Sequence, residues 1–488
     1  MIYYIRDRHE YLALIVLVFV SMFGCKEVKP ENSPESGLSQ NPPNIIFLMA
    51  DDQGWGDMGY NNHPYLQTPN LDDMASNGAQ FNRFYAASAV CSPTRASVMT
   101  GRHPLRFGIC HANCGHIKPK EITVAEMLKE KGYTTGHFGK WHLGTLTRDI
   151  LDGNRGGNPK FDADYAPPWD NGFDVTFATE SKVPTWNPMV TPSKTAGDVK
   201  ASLIEGEPFN TSYWAGPGKI ETENLEGDDS RVIMDRVIPF IANAVEKEQP
   251  FLTIIWFHTP HLPILASDAY TEKYKELSED QQHYYGVLTA LDEQVGRLRN
   301  KLRALNIEDN TVLFYTSDNG PEGKKVENRK QGVTKGLRGR KRSLYEGGIR
   351  VPGIVEWPGR IKAGTKIEVP CYTSDYFPTI AEIVELKLKE FNRPFDGESL
   401  LPFIENANAT RKIKLAFSFQ KQRALIGSEF KVYSSSGDEG SFELYNILKD
   451  PFEQYDLSKE EPEIVNNMVS ELNGWINSVE KSAQGQDY

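Results

Sequence analysis

The sequence predicts an α/β fold: a large domain with a mostly parallel central sheet flanked by helices, then a smaller α+β part. Three runs carry the first half of that expectation: Asn44–Ala50 (NIIFLMA), 251–257 (FLTIIWF) and Thr311–Ser317 (TVLFYTS). Each is almost continuously apolar, β-branched or aromatic. A parallel strand covered on both faces has that composition, whereas a half-exposed strand alternates. Helical patterns lie between the runs. Within 286–305, Leu288, Leu291, Val295, Leu298 and Leu302 recur at three- and four-residue intervals, an amphipathic stripe, and 123–133 repeats the pattern in shorter form.

Past about residue 386 the texture changes. The stretches KLAFSFQ, RALIGSEFKVYSS and SFELYNI read as short strands joined by turns, and 462–481 reads as a closing helix, so a smaller antiparallel α+β domain is expected over 386–488. Residues 149–229 are rich in Gly, Pro, Asn and Trp with little periodicity and read as long loops, the usual place for substrate contacts.

The N-terminus is set apart from the fold. Arg6 and Arg8 precede an apolar run, 11–23, that is short for a bilayer span and has the layout of an export signal. Gly24-Cys25 comes next, resembling the cleavage site of bacterial lipoproteins, which would lipidate Cys25 and hold the protein on a membrane facing the periplasm or the cell surface. Plain secretion or an N-terminal anchor is the alternative. Residues 26–43, rich in Pro, Ser, Glu and Asn, suit a flexible tether, and the large domain is expected to occupy 44–385. With 39% apolar and 25% charged residues the chain is globular, and its net charge of −12 argues against a nucleic-acid partner.

Export implies an oxidising compartment, where cysteines usually pair. The five cysteines are Cys25, Cys91, Cys110, Cys114 and Cys371. Cys110 and Cys114 are close enough to pair with each other. The segment CHANCGH also admits a zinc reading, though it lacks a second ligand pair.

The residues just past each apolar run point to a site. The first run ends in Asp51-Asp52, the second in His258-Thr259-Pro260-His261, the third in Asp318-Asn319. Open α/β sheets bind ligands beyond the carboxyl ends of their strands. Three carboxylates and an amide oxygen, with no thiolate set, favour Ca²⁺ or Mg²⁺ over zinc. In CSPTRASVMTG, Ser92 reads as a helix cap, Pro93 as its first turn and Gly101 as its end. Cys91 would then lie over a helix N-terminus, which favours an anion, with Arg95 one turn in. Lys140 and His142 would share one face of an extended segment. Lys341 lies in a basic tract, most of which reads as a solvated face.

These blocks resemble the sulfatase family of the alkaline-phosphatase superfamily. The resemblance rests on ADDQGWGD, CSPTRASVMTGR, GYTTGHFGKWHLG, TSDNGP, YEGGIRVP and ELYNILKDPFEQYDL, which occur in family order and span almost everything after Asn44. It implies an alkaline-phosphatase-like fold and a sulfuric ester hydrolase. It further implies that a maturation enzyme oxidises Cys91 to formylglycine. The hydrated aldehyde would attack sulfur and expel the alcohol, and its second hydroxyl would then drive sulfate out by C–O cleavage. Asp51, Asp52, Asp318 and Asn319 would hold one Ca²⁺ (or Mg²⁺), with residue 91 as a further ligand. Lys140, Lys341 and Arg95 would neutralise the sulfate. Arg95 and His142 would orient the diol, His142 also acting as base, and His261 would bind sulfate or protonate the leaving oxygen. His258 competes with His261, and Arg340 and Arg342 compete with Lys341. The expected substrate is a sulfated polysaccharide or oligosaccharide, either algal (ulvan, carrageenan, fucoidan) or a glycosaminoglycan. The rival readings are a phosphatase or phosphodiesterase of the same superfamily and a non-catalytic sulfated-glycan binder.

Overall fold

Alternate residues of the first strand feed two separate cores. Ile45, Phe47 and Met49 join one apolar cluster and Ile46, Leu48 and Ala50 the other, with every side chain buried. This strand, β1 (Asn44–Ala50), lies between β8 (Phe251–Trp256) and β9 (Thr311–Ser317), parallel to both, with Phe47 opposite Ile254 and Phe314. The result is a sheet covered on both faces, as the apolar runs predict. The computed structural model describes residues 42–153, 163–323, 329–406, 408–438 and 440–487. The expected export signal, Cys25 and the tether up to residue 41 lie outside the described residues.

The main sheet has ten strands. Beyond β9 come β11 (Gly353–Glu356), β2 (Ala79–Phe81) and β12 (Thr365–Ile367); beyond β8 come β4 (Thr134–Lys140), β5 (Val175–Thr179), β6 (Tyr213–Gly216) and β7 (Lys219–Glu221). The centre, β9-β1-β8-β4-β5, is parallel, and antiparallel pairs occur on both flanks, β11 with β9 and β2, β6 with β5 and β7. The helix Glu279–Ala304 packs Leu291, Val295, Leu298 and Leu302 against one face. It starts seven residues before the predicted stripe because Ser278 and Gln281 close a capping box ahead of it. The expectation of loops over 149–229 is corrected in part: the segment contributes β5, β6 and β7. The five-residue run VTFAT has strand composition but is flanked by Gly, Pro and Asn on both sides, which masks it.

A small sheet joins β3 (Phe84–Tyr85), β10 (Arg350–Val351) and β13 (Cys371–Tyr372). The C-terminal sheet is an antiparallel meander of β14 (Leu415–Phe419), β15 (Gln422–Ile426), β16 (Phe430–Ser434) and β17 (Glu443–Asn446). The closing helix Pro462–Ala483 packs Met468 and Leu472 on one face of it. Its other face, with Phe417, Ala424 and Tyr433, packs against Ala89, Val90 and Leu344, residues next to Cys91 and Lys341. Lys431, fully buried, is anchored by Glu346 and Glu453 at 3.0 and 2.8 Å. The C-terminal sheet thus supports the segments that carry two of the predicted site residues. None of the helices among the described residues is long and apolar enough to cross a membrane.

Candidate active site

The carboxyl ends of β1, β8 and β9 remain bonded to one another past the strands. Asp51 N–H donates to Thr259 O (2.9 Å), Asp318 N–H to Ala50 O (3.2 Å), and Asp52 N–H to Asp318 Oδ1 (3.1 Å). Asp52 takes a left-handed backbone, φ 67°, which turns the chain so that successive carboxylates face the same point. Asn319 Nδ2 donates to Asp52 Oδ1 at 2.7 Å.

Cys91 is the first residue of the helix Cys91–Thr100, with Val90 as the cap and Gly101 (φ 67°) ending it. This corrects the expectation of a Ser92 cap. Ser92 Oγ instead donates to Ala112 O at 2.6 Å, so a contact with the 110–114 loop replaces the local cap. Arg95, one turn on and fully buried, donates Nε and Nη2 to Asp318 Oδ2 (3.0 and 2.7 Å), with its guanidinium 5.1 Å from the Trp256 ring centroid. The thiol of Cys91, a carboxylate oxygen of Asp51 and one of Asp318 lie within 4.8 Å of one another.

Three ammonium or guanidinium groups face three carboxylates. Lys140 Nζ is 2.6 Å from Asp51 Oδ2, Arg95 holds Asp318, and Lys341 Nζ is 2.8 Å from Asp52 Oδ2. The neighbours of Lys341 go elsewhere: Arg340 donates to the carbonyls of Glu322 and Gly332, and Arg342 pairs with Glu322. His261 Nδ1 donates to Leu262 O (2.6 Å), turning Nε2 to within 3.6 Å of Asp52 Oδ2. Asp51, Asp52 and His261 form a second group of converging ligand atoms, so His261 faces the acidic cluster as well. His258 is spent on structure: its nitrogens meet Asp229 Oδ2 (2.8 Å) and Thr179 Oγ1 (2.7 Å), and it is fully buried.

His142 departs from the expected geometry. β4 ends at Lys140, and His142 has φ 59°, so the two side chains do not share the face of one extended segment. Its Nε2 lies 3.0 Å from Asn113 Oδ1. Asn113 sits in the loop closed by the Cys110–Cys114 disulfide, Cα–Cα 5.5 Å, which removes the zinc reading of CHANCGH. The same loop contacts Ser92, the residue after Cys91. No sequence pattern singles out Asn113; only the adjacent cysteines mark its loop.

Burial raises the Cys91 thiol, opposed by Lys140 and Lys341. Burial also raises the Asp318 carboxyl, reinforced by the Asp51 charge and opposed by Arg95. For Asp52 burial is outweighed by Lys341 and His261, and its carboxyl falls below the usual range. Burial lowers the His261 imidazole, against the pull of Asp52. Two oxygens in this cluster, Asp51 Oδ1 and Asn319 Oδ1, are buried with no hydrogen-bond partner among the described residues. Such orphans are costly in a dry site unless something binds them. Hard oxygen donors on Asp51, Asp52, Asp318 and Asn319 fit a divalent cation there.

Helices on both faces of a mostly parallel sheet, with this charged cluster at its carboxyl edge, give the chain an alkaline-phosphatase-like fold. The family model described as Sulfatase matches residues 43–386, and one described as N-sulphoglucosamine sulphohydrolase, C-terminal, matches residues 339–480. The chain belongs to the sulfatase family, the sulfuric ester hydrolases. An N-acetylgalactosamine-6-O-sulfatase of Bacteroides thetaiotaomicron is 29% identical over 490 residues, covering 90% of this chain and 94% of that protein. An N-acetylgalactosamine-6-sulfatase of Sus scrofa is 33% identical over 393 residues, covering 76% of this chain and 67% of its own length. The crystal structure of Ps i-CgsB in complex with k-i-k-neocarrahexaose aligns at TM-score 0.74 and 27% identity, covering 89% of this chain and 93% of that one.

Proposed function

We propose that the chain is an exported enzyme that removes sulfate from a sulfated carbohydrate, with residue 91 acting as formylglycine. The catalytic domain would occupy 44–385 and the supporting α+β domain 386–488, with Cys25 carrying a lipid that ties the protein to a membrane. The observation that carries the reading is the convergence of three carboxylates, one amide oxygen and three fixed cations around Cys91, all buried. Sulfated sugars as the substrate class are supported by the substrates named for the relatives.

The reaction is R–O–SO₃⁻ + H₂O → R–OH + SO₄²⁻ + H⁺. A hydrated formylglycine at position 91 would supply the oxygen nucleophile. Ca²⁺ held by Asp51, Asp52, Asp318 and Asn319 would supply positive charge at the sulfate oxygens. The chain does the rest. Lys140 and Lys341 would bind sulfate oxygens and hold the charge that develops on them. Arg95, locked on Asp318, orients residue 91 from the next helical turn. His261 presents Nε2 toward the site because Nδ1–H is committed to Leu262 O, and a proton carried there would pass to the leaving oxygen. His142, held by Asn113, is the proposed base at residue 91.

Sulfate release from a panel of sulfated mono- and oligosaccharides, by wild type and Cys91→Ala, tests the reading. Turnover by wild type alone is expected. Equal turnover by Cys91→Ala, or faster cleavage of matched phosphate esters, would overturn it.

A further inference from the structure

Segment 179–182 runs past the end of β5 directly beside the site. Trp141 N–H donates to Thr179 O and His142 N–H to Glu180 O, both at 2.9 Å, so the two chains stay paired beyond the sheet edge. The next residues, Ser181 and Lys182, open onto a cavity of about 460 Å³. That lies within the roughly 300–1,000 Å³ typical of ligand pockets.

The walls of this cavity have the character of a sugar site. Leu151, Leu203 and Phe209 give apolar surfaces for ring C–H faces, while Asn210 and Thr211 give hydrogen-bonding groups for hydroxyls. Leu151 is 72% exposed, an apolar side chain on the rim of the cavity. Lys182 lines the cavity two residues past Glu180, the backbone partner of His142. Its side chain is 12% exposed, and it pairs with Asp198, whose own side chain is 52% exposed. The Asp198 carboxylate, open to solvent, is the partner an incoming anion can replace, while Lys182 Nζ keeps its 3.2 Å hydrogen bond to Asp198 O. Lys182 also senses Lys140 and Lys341, whose charges help burial to lower its pKa against the pull of Asp198, and it adds to the positive field on His261.

We propose that this cavity is a subsite for the sugar adjoining the one being desulfated, and that Lys182 exchanges Asp198 for an anionic group, sulfate or carboxylate, on that sugar. The proposal rests on the sulfated-carbohydrate reading and narrows it to oligosaccharides with charge on neighbouring residues.

The test compares kcat and KM of wild type and Lys182→Ala on three substrates of one backbone. These are a sulfated monosaccharide, a disaccharide with a second sulfate and a disaccharide with a carboxylate on the second ring. Loss of one charge-assisted contact should raise KM for an anionic disaccharide by about ten-fold or more, with kcat held. Any change in monosaccharide kcat/KM, through the lost field on His261, should be much smaller than that of the anionic disaccharide, and an unchanged Tm reports an intact fold. The disaccharide that loses more identifies the anion. Asp198→Asn, which removes the competing carboxylate, should lower KM for that same disaccharide. Equal changes on all three substrates, or none on any, would overturn the subsite while leaving sulfatase activity intact. No sulfate release from any sugar, by wild type, would overturn both.

Discussion

Lys140 places its ammonium 2.6 Å from Asp51 Oδ2, with both side chains at most 1% exposed. The other oxygen of Asp51 is buried with no hydrogen-bond partner among the described residues. One carboxylate therefore balances a fixed cation on one side and offers a ligand on the other. Removing Lys140 leaves Asp51 only the longer Arg95 contact, Nη2 to Oδ2 3.5 Å, in a dry site, a change that costs up to about 3–5 kcal/mol. Lys140→Ala is expected to lower Tm and, through the lost sulfate contact, to lower kcat/KM by roughly 10²–10³-fold. Thermal unfolding and sulfate-release kinetics on the same preparation check both. Full turnover in the variant would remove Lys140 from the sulfate site.

Chelation should destabilise the protein as well as inactivate it. A cation bound only by the folded chain stabilises it by about 2.7 kcal/mol at a hundred-fold excess over Kd. Tm is expected to fall on chelation and to recover with Ca²⁺. Asp51→Asn and Asp318→Asn should blunt that recovery, since each weakens the donor set around the orphaned oxygens. A Tm that ignores chelator, Ca²⁺ and Mg²⁺ alike would contradict a metal at this cluster.

On the mechanism proposed above, Asn113 would be a positioning residue, acting through His142 at 3.0 Å. Loss of its acceptor oxygen removes one hydrogen bond that orients the imidazole, and small misplacement of a reacting group can cost up to about 10²-fold in rate. Asn113→Ala is expected to lower kcat with KM little changed, and Asn113→Asp, which keeps an acceptor there, to retain most of the rate. Replacing Cys110 and Cys114 together by serine should reproduce the Asn113→Ala effect in weaker form. If Asn113→Ala alters only Tm, the contact is structural.

Asp396 ties the closing helix to the segment just after the Cys91 helix. It takes Arg106 through both oxygens (2.8 and 2.7 Å) and Trp475 Nε1 at 2.7 Å. Burial would raise its carboxyl, but Arg106 and the His103 contacts hold it down at about 2. A carboxyl lower in the folded than in the unfolded state stabilises fully above its unfolded value near 3.8 and loses that contribution as pH falls through 2. The loss is roughly 2 kcal/mol across that window. Asp396→Asn should flatten the acid limb of a denaturation-versus-pH curve; an unchanged limb would contradict the assignment.

The centre of the fold is legible because burial on both faces leaves its mark in composition: β1, β8 and β9 are almost continuously apolar, β-branched or aromatic, and polar residues that close the site follow within two positions of each. Blocks of the site on strand ends, such as Asp51-Asp52 and Asp318-Asn319, can be read for the same reason. Local rules miss the residues whose roles depend on distant partners. Ser92 has cap chemistry, yet its hydroxyl goes to Ala112. The Lys140–His142 spacing suggests one extended face, yet the chain turns left-handed at His142. Glu322, which pairs with Arg342 and lies 3.6 Å from Lys341, and Asn113 carry no pattern of their own. The strands β5 to β7 are hidden by the Gly- and Pro-rich chain around them.

The mechanism turns on the chemical state of residue 91. Peptide mass spectrometry across 91–100, on active enzyme isolated from its own host, measures it directly. The formylglycine mass is expected at that position, in a fraction that scales with specific activity. Fully active enzyme whose peptide carries the unmodified cysteine mass would contradict it.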